Sequence, residues 1–572
     1  MFNYENYPNP NFCRKNYILL DGEWNFAIVD NFTDSHVLNE GFSSTINVPY
    51  CPESILSGLG YTKRFTHCKY KREFNVTKEE KKRIVLHFGA VDYESQIYIN
   101  NVFVGKHIGG YTSFSFDITD YVIDGDNEIV VLVYDNVLDD SASGKQSDRE
   151  ESYGCYYTRV TGIWQSVWLE FVPDCYIKSI RFYPNIELQN VKVEFETVGK
   201  GKADVVVSYQ GKVVGSAGGD IEHRGSFIIP LSEKHLWKYK NGNLYDVELN
   251  FESDQVFTYF GLRECSINRN KFLLNGENTF LRLVLDQGYY EKGIYTAEND
   301  EEMCERIEMA MQLGFNGARL HQKVFEPKFL YYCDVYGYLV FGEYPSWGIN
   351  YFSKERVGYV INEWIEEINR DFNHPSIIAW CPANECWNDG YMNRGYTREC
   401  DTDYLRLLYY STKVCDPTRP CLASSGGFHC DETDLYDFHD YGGIDHYKRL
   451  LETFSKMGQF DLPNLTAKDR GANYRGQPLL CSEYGGLSIS NDGWGYNSEK
   501  LSSSEWIDKI CELTKLLMND KNLCGLCYTQ LYDVEQEQNG LYTYRGEPKF
   551  SKADKHKIYN TLTAKAAIED EV

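Results

Sequence analysis

Two glutamates carry the strongest chemical signal in the sequence, because each one ends a buried apolar run. Glu385 ends IIAWCPANE (377–385), and Glu483 lies in PLLCSEYGG (478–486). A carboxylate at the end of a buried strand is costly unless it is paired or solvated. Two carboxyl groups that face one another could cleave a glycosidic bond, one protonating the leaving oxygen while the other attacks the anomeric carbon.

Short apolar runs that alternate with amphipathic helical segments predict the scaffold for these carboxylates. The eight runs are TFLRLVL (279–285), NGARL (316–320), YLVFGEY (338–344), IIAWCPANE (377–385), CLASS (421–425), LYDFHDY (435–441), PLLCSEYG (478–485) and LCGLCYTQL (523–531). This alternation is typical of a (β/α)8 TIM barrel, whose chemistry lies at the carboxyl ends of its strands. Glu385 and Glu483 would then face one another across that end. The connection 425–435 is too short for an ordinary helix.

The chain before residue 263 shows a different pattern. Short alternating runs broken by turn residues, as in RIVLHFGAVDYESQIYINN (83–101), predict an all-β sandwich over the first ~170 residues. KVEFETV, ADVVVSY and LYDVELNF continue this rhythm and predict a second, smaller sandwich. No helical segment longer than two turns is expected before residue 300.

Composition excludes several classes of protein. The 572 residues are 42% hydrophobic and 25% charged, as in globular proteins, and no run approaches the ~18 apolar residues of a membrane span. A formal charge of −26 argues against nucleic acid or an anionic membrane as partner. The polar amino terminus shows no signal peptide, and the 18 cysteines lack a framework spacing, so we expect reduced thiols in a cytoplasmic protein.

Long motifs in a characteristic order connect the chain to a known family. They include LDGEWNF (20–26), VPYCPESILSGLG (48–60), GKQS (144–147), YTRVTGIWQSVWLE (157–170), FGLRE (260–264), GFNGARLHQK (314–323), NHPSIIAWCPANE (373–385), SEYGG (482–486) and YTQLYDVEQEQNGLYTYRGEPKF (528–550). The chain resembles glycoside hydrolase family 2, the three-domain group that includes β-galactosidases, β-glucuronidases and β-mannosidases. The resemblance runs nearly from end to end.

This resemblance implies a jelly-roll, sugar-binding-like β-sandwich (1–172), an immunoglobulin-like β-sandwich (173–262) and a catalytic (β/α)8 barrel (263–572). It assigns Glu385 as general acid/base and Glu483 as nucleophile of a retaining, exo-acting β-glycosidase. The two carboxyl groups should then lie about 5–5.5 Å apart. At that separation we expect repulsion from Glu483 to raise the pKa of Glu385 and keep it protonated near neutrality.

The same resemblance suggests supporting residues, each with a structural alternative. Asn384 would bind the sugar 2-hydroxyl or else cap its strand. Tyr441 would hold Glu483, and His439 would line the sugar site or remain a core histidine. Arg319 would hold the catalytic carboxylates. The remaining candidates are Asp286 and His321 for hydroxyl contacts, and Trp347 and Trp387 for stacking on a sugar or for loop packing.

The sugar itself is less well defined by the sequence. A uronic acid needs a cation or several donors for its carboxylate. Glucuronidases of the family carry Asn-x-Lys at the place where this chain reads Glu537-Gln538-Asn539-Gly540, which disfavours a glucuronide. A β-galactoside is therefore the default substrate. A β-galacturonide stays open, because Lys323, Arg394 or Arg398 could reach the site from a loop.

Other functions compete with this interpretation. A non-catalytic carbohydrate-binding protein would be expected to lack one carboxylate, yet both are present. A metal-dependent hydrolase needs clustered ligands, and His439, Asp440 and His446 are the nearest approach, without a suitable third partner at those strand ends. We expect no required cofactor, although Mg²⁺ or Na⁺ could bind near the site at ligands that the sequence does not identify. The sandwich domains could support a homo-oligomer.

Cys524 and Cys527 have the spacing of a redox or zinc motif. They lie, however, inside the apolar eighth strand, with no second pair of Cys or His residues suitably spaced. We therefore interpret them as buried thiols.

Overall fold

The first sandwich forms two antiparallel sheets in the computed structural model, which describes residues 3–351, 353–386, 402–457, 472–490, 493–497 and 500–570. One sheet has, in spatial order, Tyr17–Leu19, Val167–Pro173, Lys82–Phe88 and Phe114–Asp117. The other has Ser44–Val48, Gly22–Ile28, His67–Val76, Gly125–Tyr134, Glu94–Ile99 and Val102–Ile108. Their facing side chains form one buried core that includes Trp24, Tyr70 and Leu86. A short pair, Val91–Asp92 with Gly162–Ile163, completes this jelly-roll domain.

The second sandwich has five strands, of which the second and third are much the longest. They are Tyr176–Asn185, Asn190–Tyr209, Lys212–Pro230, Leu244–Phe251 and Asp254–Gly261. A register shift between Glu196 and Lys200 divides the strand that begins at Asn190, whose first half pairs with one neighbour and whose second half pairs with another. Residues from both halves share one core, so the predicted sandwich is confirmed.

The carboxy-terminal part closes the predicted barrel. Its strands are Leu281–Asp286, Gly317–Leu320, Leu339–Glu343, Ile377–Cys381, Ser425–Gly427, Tyr436–His439, Leu479–Gly485 and Leu523–Thr529. Seven of them form one parallel sheet, and the short fifth strand pairs instead with Asn384–Cys386, which continues the fourth. A three-stranded sheet (Cys265–Asn268, Lys271–Leu274, Glu277–Asn278) precedes the barrel. As the spacing suggested, no described helix joins the fifth strand to the sixth.

Helices surround the barrel from residue 300 onward, as the sequence predicts. They are Asp300–Leu313, Pro327–Tyr336, Val357–Asp371, Thr402–Cys415, Ile444–Met457, Ser503–Met518 and Lys552–Leu562, with 3-10 turns at Tyr4–Asn6, Ile55–Ser57 and Ala567–Asp570. Side chains fix several of their starts: Ser502 and Ser551 each form a capping box. Among the described residues, no helix is both long and apolar enough to span a bilayer.

The described cysteines form no disulfide, in agreement with the sequence interpretation. Cys524 and Cys527 are buried in the last barrel strand. Burial raises the pKa of the Cys527 thiol, which disfavours the thiolate that metal binding and redox chemistry require.

A buried arginine links the two sandwiches to one another. Arg14 donates to a carboxylate oxygen of Glu170 at 2.5 Å and to both oxygens of Asp254 at 2.9 Å. All three side chains are almost fully buried. The negative charges overcome the effect of burial and raise the pKa of Arg14. Because Glu170 lies in the first sandwich and Asp254 in the second, this bridge connects the two domains.

Arg14→Met should therefore destabilise the protein strongly, because it leaves two buried carboxylates without their cation. Breaking such a buried network costs about 3–5 kcal/mol. Differential scanning calorimetry should show the sandwich domains unfolding several degrees lower. Lys192→Met, which breaks an exposed pair with Glu194, is the matched control and should leave the transition unmoved. Equal shifts in the two variants would contradict the structural role of Arg14.

Candidate active site

The two predicted catalytic carboxylates meet at the carboxyl end of the barrel. Glu385 lies in the extension of the fourth strand and Glu483 in the seventh. One carboxylate oxygen from each lies, together with Nδ1 of His439, in a group whose atoms are all within 4.8 Å of one another. This matches the spacing of retaining glycosidases, about 5–5.5 Å, rather than the 6.5–9.5 Å of inverting ones. Glu385 has a φ of 50°, a strained backbone conformation for a residue other than glycine.

Arg319 is the centre of the hydrogen-bond network below these carboxylates. Its guanidinium is fully buried and donates to Glu483 Oε1 at 3.0 Å, to Glu343 Oε2 at 2.7 Å and to Asn384 Oδ1 at 3.0 Å. Nη1 also donates to the backbone carbonyl of Ser482 at 3.0 Å. Burial lowers the pKa of Arg319, but its carboxylate neighbours raise it far more, so the side chain stays charged. The guanidinium thus orients one oxygen of Glu483 and fixes the amide of Asn384.

Asn384 presents a donor to the site. Its side-chain oxygen accepts from Arg319, which assigns the amide orientation and leaves Nδ2 as the outward group. Nδ2 is buried and has no hydrogen-bond partner among the described residues. A buried donor without a partner is costly, so this N–H is suited to a ligand hydroxyl beside the two carboxylates.

Tyr441 holds the second oxygen of Glu483. Its hydroxyl donates to Glu483 Oε2 at 2.5 Å and lies 3.3 Å from Thr529 Oγ1. Burial and the adjacent carboxylate raise the pKa of Tyr441, so the phenol remains a donor. Its ring stacks on Tyr496, with centroids 3.4 Å apart. Tyr441 and Arg319 together fix both oxygens of Glu483.

His439 contacts both carboxylates through Nδ1, and Ser425 holds its other ring nitrogen. Nδ1 lies 3.0 Å from Glu385 Oε1 and 3.5 Å from Glu483 Oε2, while Nε2 lies 3.0 Å from Ser425 Oγ. The Ser425 hydroxyl donates to ionised Asp437, so it accepts from Nε2–H. Burial alone would lower the pKa of His439, but Glu483 and Glu385 raise it overall. His439 can therefore share a proton with Glu385.

His321 lies beside Arg319 at the end of the second strand. Nδ1 is 2.9 Å from Glu343 Oε1 and 3.1 Å from Arg319 Nη2. Burial, followed by the charges of Lys145 and Arg319, lowers the pKa of His321 well below its usual value. The neutral ring donates Nδ1–H to Glu343, which leaves Nε2 as an acceptor.

Asp286 and Trp347 have other partners in the structure. Asp286 is buried, and its Oδ1 accepts from Tyr532 at 2.5 Å and from the Gly288 amide at 2.9 Å. Trp347 packs on Tyr156, with centroids 5.2 Å apart, in the loop after the third strand. Trp387 lies outside the described residues. No stacking or hydroxyl contact is assigned to these three.

The structure describes one of the three cations that the sequence suggested for a uronic acid carboxylate, and this one is already engaged. Lys323 is buried and already donates to the carbonyls of Gly288 and Tyr295, at 2.8 and 2.6 Å, and to Glu326 at 3.3 Å. Arg394 and Arg398 lie outside the described residues. Of the metal ligands considered, His446 pairs with Asp440 at 2.8 Å, whereas His439 faces Glu385.

Sequence reasoning missed Glu343, Ser425 and Asp437. Glu343 ends the third strand and could have been found by the rule that located Glu385 and Glu483. Ser425 and Asp437 reach the site through His439. Asp437 lies two residues before His439 on one strand and could have been found by that spacing, whereas no spacing connects Ser425 to it. The donor set Glu385, His439 and Glu483 could geometrically hold a cation. Such an ion would hold both carboxyl groups ionised and would leave no acid for the leaving oxygen.

Comparison with known proteins supports the architecture. Three family models match in succession: the glycosyl hydrolases family 2 sugar binding domain (18–173), the glycosyl hydrolases family 2 model (175–263) and the family 2 TIM barrel domain (265–508). The β-galacturonidase of Eisenbergiella tayi bound to galacturonate superposes with a TM-score of 0.74 at 20% identity. The match covers 96% of this chain and 98% of that one. At this identity the likeness shows the fold alone.

Two sequence relatives have different names. The β-galactosidase of Thermoanaerobacterium thermosulfurigenes is 29% identical over 439 residues, which are 71% of this chain and 57% of that protein. The chain thus spans little more than half of that relative. The β-glucuronidase of Homo sapiens is 23% identical over 613 residues, covering 93% of this chain and 88% of that protein. On the three successive family models, this chain belongs to glycosyl hydrolase family 2.

Proposed function

We propose that the protein is a retaining, exo-acting β-glycosidase that removes a terminal β-linked sugar. The observation that supports it most is the close approach of Glu385 and Glu483, with an oxygen of each within 4.8 Å of the other. The orientation of Glu483 by Arg319 and Tyr441 agrees with a nucleophile, because both of its oxygens are fixed before substrate arrives. Family membership agrees with the same chemistry.

The proposed reaction has two displacement steps. Glu483 attacks the anomeric carbon while Glu385 gives its proton to the glycosidic oxygen, so the aglycone leaves as an alcohol and a glycosyl ester forms. Esterification removes the negative charge of Glu483, and Glu385 then takes a proton from water, which releases the sugar. Asn384 Nδ2 would donate to the 2-hydroxyl of the sugar, an interaction that strengthens in the transition state.

Two sugars remain candidates for the glycone, and a specific observation favours each. A β-galactoside agrees with Glu537 and Asn539 at the Asn-x-Lys position of glucuronidases, and with the Thermoanaerobacterium relative. A β-uronide agrees with the Eisenbergiella and human proteins and with Lys145, whose Nζ lies 5.4 Å from the ring centroid of Trp347 in the loop after the third barrel strand.

Alanine variants assayed with azide should separate the two carboxylate roles. In Glu483→Ala, azide can fill the nucleophile's place and should form an α-glycosyl azide. In Glu385→Ala, the glycosyl ester still forms from an activated aryl glycoside, and azide should give the β-glycosyl azide. Without azide both variants should lose activity, the acid/base variant by roughly 10²–10⁴-fold on a substrate with a poor leaving group. NMR of the products reads the anomeric configuration.

Glu569→Ala is the control, because Glu569 pairs with Arg282 away from the site. It should keep wild-type turnover and give no glycosyl azide. The same anomer from both catalytic variants, or undiminished hydrolysis in either, would overturn the assigned roles.

Replacing His439 by glutamine should move the alkaline limb of kcat/KM to higher pH. The protonated imidazole lies 3.0 Å from Glu385 and favours its ionised form, whereas glutamine carries no charge. Glu385 should therefore hold its proton to higher pH in the variant. The measurement is the pH profile of kcat/KM for an aryl glycoside. A limb that stays in place would mean that His439 carries no charge in the free enzyme.

Metal removal should leave the activity unchanged. A cation between Glu385 and Glu483 would keep both ionised and block the acid step, so the proposed reaction requires none. Turnover after dialysis against EDTA should equal that of the untreated enzyme. A loss that Mg²⁺ or Na⁺ restores would show that an ion assists at the site.

A further inference from the structure

A loop of the jelly-roll domain reaches the mouth of the barrel. The Ser143 amide donates to the Trp347 carbonyl at 2.8 Å, and the Gly144 amide donates to the Pro345 carbonyl at 3.2 Å. Gly144 has a φ of +53°, and a Cβ there would lie 2.2 Å from the Gln322 carbonyl oxygen. The loop is therefore pressed against the ends of the second and third barrel strands, and its position depends on a glycine.

Lys145, the next residue of this loop, is a buried cation without an acceptor. Its relative exposure is 6%, and its Nζ lies 5.4 Å from the ring centroid of Trp347 and 5.9 Å from that of Tyr157. No hydrogen bond or ion pair joins its ammonium group to any part of the chain that the structure describes. The stem of Lys145 is buried, whereas its ammonium group is not fully enclosed and keeps its donors for a ligand.

The other buried lysines show what a structural lysine looks like in this protein. Lys69 donates to two backbone carbonyls, at 2.9 and 2.5 Å. Lys323 donates to two carbonyls and to Glu326. Both lysines thus have at least two acceptors from the chain, whereas Lys145 has none among the described residues. The contrast indicates that the partner of Lys145 comes from outside the protein.

The charge of Lys145 reaches the catalytic site. It helps to lower the pKa of His321 at the end of the second strand, after burial. It also opposes the rise that burial causes in the pKa of Glu537, in the loop after the eighth strand. Glu537 is in turn close enough to Glu483 for their charges to interact. The ring of Trp347, after the third strand, and that of Tyr157, which donates to Glu537, place Lys145 on this side of the barrel mouth.

Glu537 is a countercharge within electrostatic range of Lys145, but both of its oxygens already accept hydrogen bonds. Oε2 accepts from the Tyr157 hydroxyl, and Oε1 accepts from Asn539 Nδ2 at 3.0 Å. Glu537 therefore compensates the ammonium charge at longer range and leaves the donors of Lys145 unused. This arrangement suits an anionic group of the ligand, because a lysine–carboxylate hydrogen bond is about twice as strong as a neutral one.

We propose that Lys145 is a specificity-determining residue that binds a carboxylate on the glycone, so that the natural substrate is a β-uronide. The inference rests on the proposed glycosidase function and names its substrate class. In this arrangement the jelly-roll domain contributes a side chain to the sugar site of the barrel. A neutral sugar would leave the ammonium without a counterion at hydrogen-bond distance.

The test compares wild type and Lys145→Met on p-nitrophenyl β-galacturonide, β-glucuronide and β-galactoside. Wild type should prefer one of the uronides. In the variant, kcat/KM for that uronide should fall by roughly 100-fold or more, the cost of removing one partner of a buried charge pair. The galactoside rate should change by less than about threefold, and Lys145→Arg should recover part of the uronide rate. Lys106→Met, an exposed lysine of the same domain, is the matched control and should match wild type.

Binding to Glu483→Gln provides a second measurement that needs no turnover. Calorimetry should show D-galacturonate or D-glucuronate binding more tightly than D-galactose, and Lys145→Met should abolish that difference. A wild type that prefers the galactoside, or a Lys145→Met variant that loses uronide and galactoside rates equally, would overturn the role of Lys145 while the glycosidase function stands. Failure of the wild type on every glycoside, together with no sugar binding, would overturn the proposed function itself.

Discussion

The site depends on one buried cation, the guanidinium of Arg319. It lies between Glu343 and Glu483, and it also holds the amide oxygen of Asn384. A buried charge of this kind is stable only when its partners are in place, and losing one partner costs about 3–5 kcal/mol. Glu483, the proposed nucleophile, and the amide of Asn384 are therefore oriented by the same group. Their geometry is set before any sugar enters. In the proposed reaction, this preorganisation lowers the activation barrier.

The site also depends on how Glu385, Glu483 and His439 share protons. Two carboxyl groups this close cannot both ionise freely. His439 moderates the competition, because Nδ1 faces Glu385 while Nε2 is held by Ser425 and Asp437. Burial alone would raise the pKa of Asp437, but several hydrogen-bond donors lower it overall. The carboxylate behind His439 therefore stays negative. The imidazole can therefore gain or lose a proton at Nδ1 without turning its ring.

The sequence predicts the scaffold well because periodic burial decides it. Apolar runs of five to nine residues between amphipathic segments located the barrel strands, although the fifth, Ser425–Gly427, overlaps its predicted run 421–425 only at Ser425. Glu385 and Glu483 were visible for the same reason, since each ends a buried run. Glu343 also ends such a run, at the third strand, and was overlooked. Asp286 was placed correctly at a strand end, but its Oδ1 is held by Tyr532, a contact that no local pattern reveals.

Contacts between domains are what a periodic pattern cannot show. Lys145 lies nearly two hundred positions before His321, and nothing in the motif GKQS (144–147) indicates that it reaches the barrel. Only the fold shows that the loop rests on the barrel and that the lysine lacks an acceptor there. The same limit explains the ambiguity over the sugar. Positions 537–539 argue against a glucuronide when considered alone, yet the cation that a uronide requires can come from another domain. If Lys145 has the proposed role, the sandwich that begins the chain supplies a charge that helps the barrel to select its substrate.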